Sequence, residues 1–230
     1  VWPLMAAVAL FGSTRGRRLA AALLGALILL GLLLTFSKGA LLLALPAAAL
    51  FIGFAAGGRW RWAALGLLAA GALALLPLFA TERFAGLFDL QGGTSFFRVQ
   101  LWRGAWNMAL DHPWLGVGLD NFLYVYRTRY ALPAAWQELN LSHPHNVVLD
   151  FWTRLGLLGL VVGVWLFASA FWQGWRGFRR ASGDRRALLL GLLAALAATL
   201  AHGLIDNSLF LVDLMLLFML SIGLIARLEK

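Results

Sequence analysis

The chain has 230 residues, of which 62% are hydrophobic and 13% charged, about half the charged fraction of an ordinary soluble domain. A mean hydropathy of +0.82 means more apolar surface than one globular core of this size buries, which excludes a water-soluble globule and points to lipid as the solvent. The absence of cysteine excludes disulfides, thiolate metal sites and a Cys nucleophile, and the net charge of +9 leaves two partners open, nucleic acid or a membrane with basic loops.

A helix that crosses a ~30 Å hydrocarbon layer at 1.5 Å per residue needs about 20 mostly apolar residues. The first apolar run, residues 1–11, is about half a span long and lacks the basic lead of a signal peptide, so it reads as the tail of an earlier, truncated helix. Full spans are expected over roughly 19–36, 40–56, 62–80, 147–172, 187–205 and 209–226, about six in all. The triplet Asp206-Asn207-Ser208 separates the last two, because three polar side chains are costly in lipid and suit a turn whose Asn or Ser caps the next helix. The expected fold is therefore an all-α polytopic membrane protein in three parts. Residues 1–80 hold the truncated helix and three transmembrane helices, residues 81–146 form one long loop outside the spans, and residues 147–230 hold three more spans that open just after His145-Asn146.

Lys and Arg sort cleanly between alternate loops. One set carries Arg15, Arg17, Arg18, Arg59, Arg61, Arg176, Arg179, Arg180, Arg185, Arg186, Arg227 and Lys230, and the positive-inside rule makes it cytoplasmic. The opposite set holds Lys38 in a tight turn and Arg83, Arg98, Arg103, Arg127 and Arg129 in the long loop, which is then periplasmic. The basic excess thus sits in short inter-helix loops without a nucleic-acid-binding motif, and the nucleic-acid reading loses its support.

The 81–146 loop is far longer than an ordinary connection, and its Trp102, Trp106, Trp114 and Trp136 are unlike a disordered segment. Phe97, Leu101, Trp102 and Ala105 recur at helical spacing, so 96–110 is expected to be an amphipathic helix lying along the outer membrane surface and ended by Asp111-His112-Pro113. Gly116-Val117-Gly118 reads as a turn and 121–130 as a second short helix rich in Tyr and Arg, a composition suited to headgroups or sugars.

Ionisable groups inside or at the edge of a membrane are functional candidates, because burying them unpaired costs several kcal/mol. Lys38, Arg98 and His145 all fall at external loop or span ends. Arg offers a planar fork of donors to phosphate, Lys a point charge, and a neutral histidine nearby is the natural general base. The set suggests transfer to a hydroxyl with a phosphate leaving group. Structural alternatives stand beside it: Lys38 snorkelling to the interface, Arg103 and Arg129 solvated or on headgroups, Asp150 and Arg154 satisfying each other four residues apart, and His202 doing the same with Asp206. Gly156, Gly159 and Gly163 read as a close-packing stripe. His143-Pro144-His145 lacks the one-face i, i+4 spacing of helical zinc sites and has no third ligand, so no metal is expected; no Walker-type loop, dinucleotide fingerprint or nucleophile elbow is present.

The arrangement resembles the O-antigen ligase and polymerase superfamily of polytopic bacterial membrane proteins. His145-Asn146, nine further residues and Gly156-Leu157-Leu158-Gly159 are similar to the ligases' His-Asn-x9-Gly-x-x-Gly signature. Phe97-Arg98, Trp102 and Ala105, followed by Asp111-His112-Pro113-Trp114-Leu115-Gly116-Val117-Gly118, resemble the family's Arg-containing helix and its Asp-His-Pro-x-x-Gly-x-Gly turn. Phe36-Ser37-Lys38-Gly39 resembles a Ser-Arg-Gly turn with Lys in place of Arg, and His202 to Asp206 resembles a late His-x-x-x-Asp pattern. The resemblance implies the C-terminal half of a protein of about a dozen spans in the bacterial inner membrane. It implies transfer of a glycan from undecaprenyl pyrophosphate to an acceptor hydroxyl on a glycolipid, glycan or protein at the periplasmic face, without metal, nucleotide or other cofactor. His145 would activate the hydroxyl, Arg98 and Lys38 would hold the pyrophosphate, and Asn146, Arg103, His143, His202 and Asp206 would support them. A polymerase or a protein O-oligosaccharyltransferase is the alternative within the superfamily, and a transporter or structural membrane subunit the alternative outside it.

Overall fold

The structure is a computed structural model that describes residues 1–81, 84, 91–206 and 209–230. Arg83, Asn207 and Ser208, used in the charge count and in the polar turn, lie outside the described residues. Among the described residues there is no β-strand. The helices are α1 (Trp2–Phe11), α2 (Arg15–Leu34), α3 (Leu45–Ala56), α4 (Arg59–Leu75), α5 (Gly93–Asp111), α6 (Phe122–Val125), α7 (Val147–Arg180), α8 (Gly183–Gly203) and α9 (Val212–Glu229).

Helices α2, α7 and α8 are long and apolar enough to cross a membrane, and α1 and the 40–56 segment are shorter apolar helices. The expected spans over 62–80 and 209–226 fall on α4 and α9. Regular α4 stops two residues before Pro77, whose missing N–H and bulk against its predecessor end the ladder; a tighter turn, Leu76–Ala80, continues it. Before α3 the helix widens into a π turn over Ala40–Ala44, just ahead of Pro46. The expected unbroken span over 147–172 is corrected: within α7, Gly156 has φ 68° and ψ −171°, and two helices meet there at a kink.

The chain divides into two compact units. The first comprises residues 1–73, 167–202 and 212–230. Its core is built from small and branched residues, Ala7, Ala48, Ile52, Phe178, Leu189, Leu190, Leu193 and Ala194 among them. Small residues let helices approach where lipid supplies no hydrophobic drive. At Gly53 a Cβ would stand 2.4 Å from the Cβ of Ala64, and at Gly191 it would stand 2.6 Å from the Cα of Leu4. Leu23, Leu24, Leu27, Leu30 and Leu34 of α2 are exposed, the pattern of a lipid-facing helix.

The short basic loops that the charge count placed on one side of the membrane meet in this unit. The Ser13 backbone N–H and hydroxyl each donate to Asp184 at 2.7 Å, and Arg17 pairs with the same carboxylate. Those Ser13 hydrogen bonds first, and the Arg17 guanidinium after them, hold the Asp184 carboxyl below its usual range. Phe11 packs edge-on to Trp60 at 5.1 Å, Arg176 pairs with Glu229 at 3.1 Å, and Arg185 Nε–H donates to the Leu228 carbonyl at 2.7 Å.

The second unit comprises residues 74–166 and 203–211. The expected helix over 96–110 is α5, but Leu101 and Ala105, assigned to its membrane face, are fully buried with Met108, Phe122, Tyr126 and Leu149. That face packs inside the unit. The rings of Phe122 and Tyr126 stack at 5.7 Å, and Tyr130 Oη–H donates to Asp111 at 2.7 Å, closing the α6 segment onto the end of α5.

Candidate active site

The site grows from the kink in α7. In a continuous helix Leu157 N–H would donate to the Thr153 carbonyl, and Gly156 breaks that bond. The turn after α5 supplies both halves of the replacement. Pro113 C=O accepts from Leu157 N–H at 2.7 Å, and Val117 N–H donates to Thr153 C=O at 2.8 Å. Gly118 N–H donates to the Arg154 carbonyl at 2.9 Å, and Trp152 Nε1–H to Pro113 C=O at 3.2 Å. A broken helix survives in a membrane protein only where its freed polar groups are satisfied in this way. Two glycines make the approach possible: a Cβ at Gly156 would lie 2.1 Å from the Trp114 carbonyl, and one at Gly116 would lie 2.5 Å from the Arg154 carbonyl carbon. Both have positive φ. Gly156 is therefore a docking notch for the 113–118 turn, whereas a Cβ at Gly159 or Gly163 would meet Leu155 or Phe151 of the same helix.

Two residues before the notch, Arg154 gathers the surrounding loops. Its Nε–H donates to Asp150 Oδ1 at 2.6 Å, the i, i+4 pair expected from the sequence. Its two Nη groups donate to the Leu119 carbonyl and, at 2.6 Å, to the Ser142 carbonyl. The guanidinium also lies over the Phe210 ring at 5.2 Å. One side chain thus ties the 113–119 turn, the segment before His143 and the 203–211 segment to α7.

His145 sits between two anchors. On one side Pro144 C=O accepts from Trp102 Nε1–H of α5 at 2.9 Å. On the other Asn146 caps α7: its Oδ1 accepts from Val148 and Leu149 N–H at 3.0 and 3.1 Å, and its Nδ2 donates to Leu204 C=O at 3.0 Å. His145 itself has φ 51°, a left-handed conformation costing of order 1–3 kcal/mol that persists only where surroundings over-determine it.

The geometry brings His145, Arg98 and Asp206 together. His145 Nδ1 is 3.1 Å from Asp206 Oδ1 and 3.1 Å from the Asp206 carbonyl oxygen. Both are acceptors, so neutral His145 donates from Nδ1 and keeps the Nε2 lone pair. Arg98 Nη2 donates to the same Asp206 Oδ1 at 3.3 Å. The three side chains are between a fifth and a third exposed, buried enough to be held and open enough to meet a substrate. His143 lies beside His145 with ring centroids 4.3 Å apart and the rings tilted by 54°. Burial first, and the second imidazole after it, push the His143 pKa down, so it stays neutral at pH 7.

Of the remaining expected residues, Arg103 lies on α5 and lines a cavity with Asn146. Lys38 lies in the turn between α2 and the 40–56 segment, and His202 on the last turn of α8; both belong to the first unit. The Asp206 carboxylate meets Arg98 and His145. Asn146, given only a supporting place, is the helix cap, and its position immediately before the apolar helical run that starts at Val147 is the signal for that. Among the described residues no group of three or more His, Asp or Glu is placed to hold a metal ion.

Residues 21–164 match the family model described as O-Antigen ligase. The chain is also 30% identical over 179 residues to a Pseudomonas aeruginosa protein named O-antigen ligase, an alignment covering 75% of this chain and 39% of that protein. The chain therefore spans about two-fifths of the length of this relative. With nearly two-thirds of its residues inside the family match, the chain belongs to the O-antigen ligase family.

Proposed function

We propose that the chain carries the catalytic cluster of a lipid-linked glycan ligase, which moves a glycan from undecaprenyl pyrophosphate to an acceptor hydroxyl at the periplasmic face of a bacterial inner membrane. The observation that supports this most is the Arg98–Asp206–His145 cluster. Asp206 orients the imidazole and stabilises the cation that forms, the role a carboxylate plays behind any His base. His145 Nε2 takes the proton of the acceptor hydroxyl as its oxygen bonds to the anomeric carbon. The anomeric C–O bond to phosphate breaks, and the pyrophosphate lipid leaves with the electron pair. Arg98, beside the base, meets the charge developing on that pyrophosphate. Pyrophosphate is already a good leaving group, so positioning and charge stabilisation supply the acceleration, and the reaction needs neither ATP nor a metal.

The test is transfer by the protein in detergent, with purified lipid-linked glycan and acceptor, following release of undecaprenyl pyrophosphate. His145→Ala is expected to lower the rate by about 10²–10⁴, the usual worth of general base catalysis. Asp206→Asn should lose less, because the Asp206 carbonyl still accepts from Nδ1. Arg98→Ala should raise the donor KM far more than Arg103→Ala. Undiminished transfer by His145→Ala would overturn the assignment.

A further inference from the structure

A cavity of about 570 Å³ opens on the face of α5 that carries Val99, Trp102, Arg103, Trp106 and Asn107, with Asn146 in its opposite wall. The volume falls in the range of small-molecule sites. We infer that this cavity is a carbohydrate subsite that holds a sugar ring of one of the two glycan substrates, an inference that rests on the transfer reaction proposed above.

The chemistry of the lining carries it. A pyranose presents an apolar C–H face and a rim of hydroxyls, and it is recognised by a flat aromatic surface flanked by amide or guanidinium groups. Trp106 is half exposed and propped edge-on against Trp152 at 5.2 Å and 84°, so its ring is fixed before a ligand arrives. A pre-set aromatic loses little entropy on binding. Arg103 and Asn107, one helical turn apart on α5 and both exposed, stand on the same face with donors and an amide acceptor. Trp102 is locked by its bond to Pro144, and Asn146 by the cap of α7. Asn146 directly follows His145 in the chain and Trp102 holds Pro144 directly before it, so the cavity wall is continuous with the segment that presents the base. A membrane interface uses Trp and Arg on a helix without needing a concavity; here both line a hollow beside the base.

The test uses the protein in micelles with two lipid-free probes: the glycan released from the donor by mild acid cleavage of its pyrophosphate link, and the saccharide portion of the acceptor. Saturation-transfer NMR should show binding of one probe by the wild type and by His145→Ala, and loss of that binding in Trp106→Ala and Asn107→Ala. Which probe responds identifies the substrate that occupies the subsite. In turnover, Trp106→Ala should raise the KM of that substrate at least tenfold while kcat falls far less. Trp165→Ala, at a still more exposed tryptophan outside the cavity, should leave both unchanged. Binding that depends on Trp106 in a protein without transfer would sink the proposed reaction and leave the subsite standing. Unaltered KM for both substrates and intact saturation transfer in Trp106→Ala would overturn the inference. So would quenching of Trp106 by brominated phosphatidylcholine vesicles that neither saccharide relieves, which would make the face a lipid contact.

Discussion

Replacing Arg154 by Met tests whether one buried side chain holds the site together. Asp150 is 1% exposed and Arg154 8%, and the substitution removes the 2.6 Å N–H from that carboxylate together with the donors to the Leu119 and Ser142 carbonyls. Breaking a buried ion pair from one side costs about 3–5 kcal/mol, and each buried carbonyl deprived of its donor about 1–3 kcal/mol, terms that overlap. Met refills much of the stem volume, so the net expected loss is about 4 kcal/mol, large for a single substitution. Equilibrium unfolding in mixed micelles measures it. The decisive comparison adds Asp150→Asn: removing the charge in the Arg154→Met background should restore about 1–2 kcal/mol, whereas Asp150→Asn alone should be destabilising. A loss below about 1 kcal/mol for Arg154→Met, the value of an exposed pair, would refute the reasoning. Simple additivity of the two substitutions would refute it as well.

Gly156→Ala places a Cβ 2.1 Å from the Trp114 carbonyl at φ 68°, so it should undock the 113–118 turn and sharply lower the melting temperature. Gly71→Ala meets nothing within 4 Å in mid-helix and should be neutral or up to about 1 kcal/mol stabilising; equal melting of the two variants would contradict the notch. For His143, whose folded pKa is depressed, the unfolded chain binds the proton more readily. Its contribution is therefore complete above about pH 6.5 and lost as pH falls through that value toward the folded pKa. His143→Gln should flatten the stability profile between pH 7 and 5, and an unchanged slope would show that other groups set it.

Much of this was readable from residue order. Hydropathy located the long helices, and the loops grouped by their arginines are the ones joined through Ser13 and Asp184. The Asp150–Arg154 pair followed from helical spacing. What periodicity could not reveal was pairing across the chain. Helical spacing offers His202 to Asp206 but says nothing of the partners 61 and 108 residues away that its carboxylate meets. Gly156 was read as packing because a glycine in an apolar run looks alike whether it is helical or left-handed. Only the arrival of the 113–118 turn at its freed backbone distinguishes the two. Leu101 and Ala105 were assigned to lipid for a similar reason, since an apolar stripe does not say whether protein or membrane covers it.

The spread of the Arg98–Asp206–His145 cluster along the chain sets the order in which the cluster is assembled during synthesis. Arg98 is made first and Asp206 last, 108 residues later. At typical synthesis rates that interval is roughly 5–20 s. During it His145 lacks the carboxylate that fixes its tautomer, and Arg98 lacks its anchor. The three-residue cluster is then completed in one step, when Asp206 has emerged and met the other two. Nascent chains arrested before that point would hold Arg98 and His145 without the carboxylate that joins them.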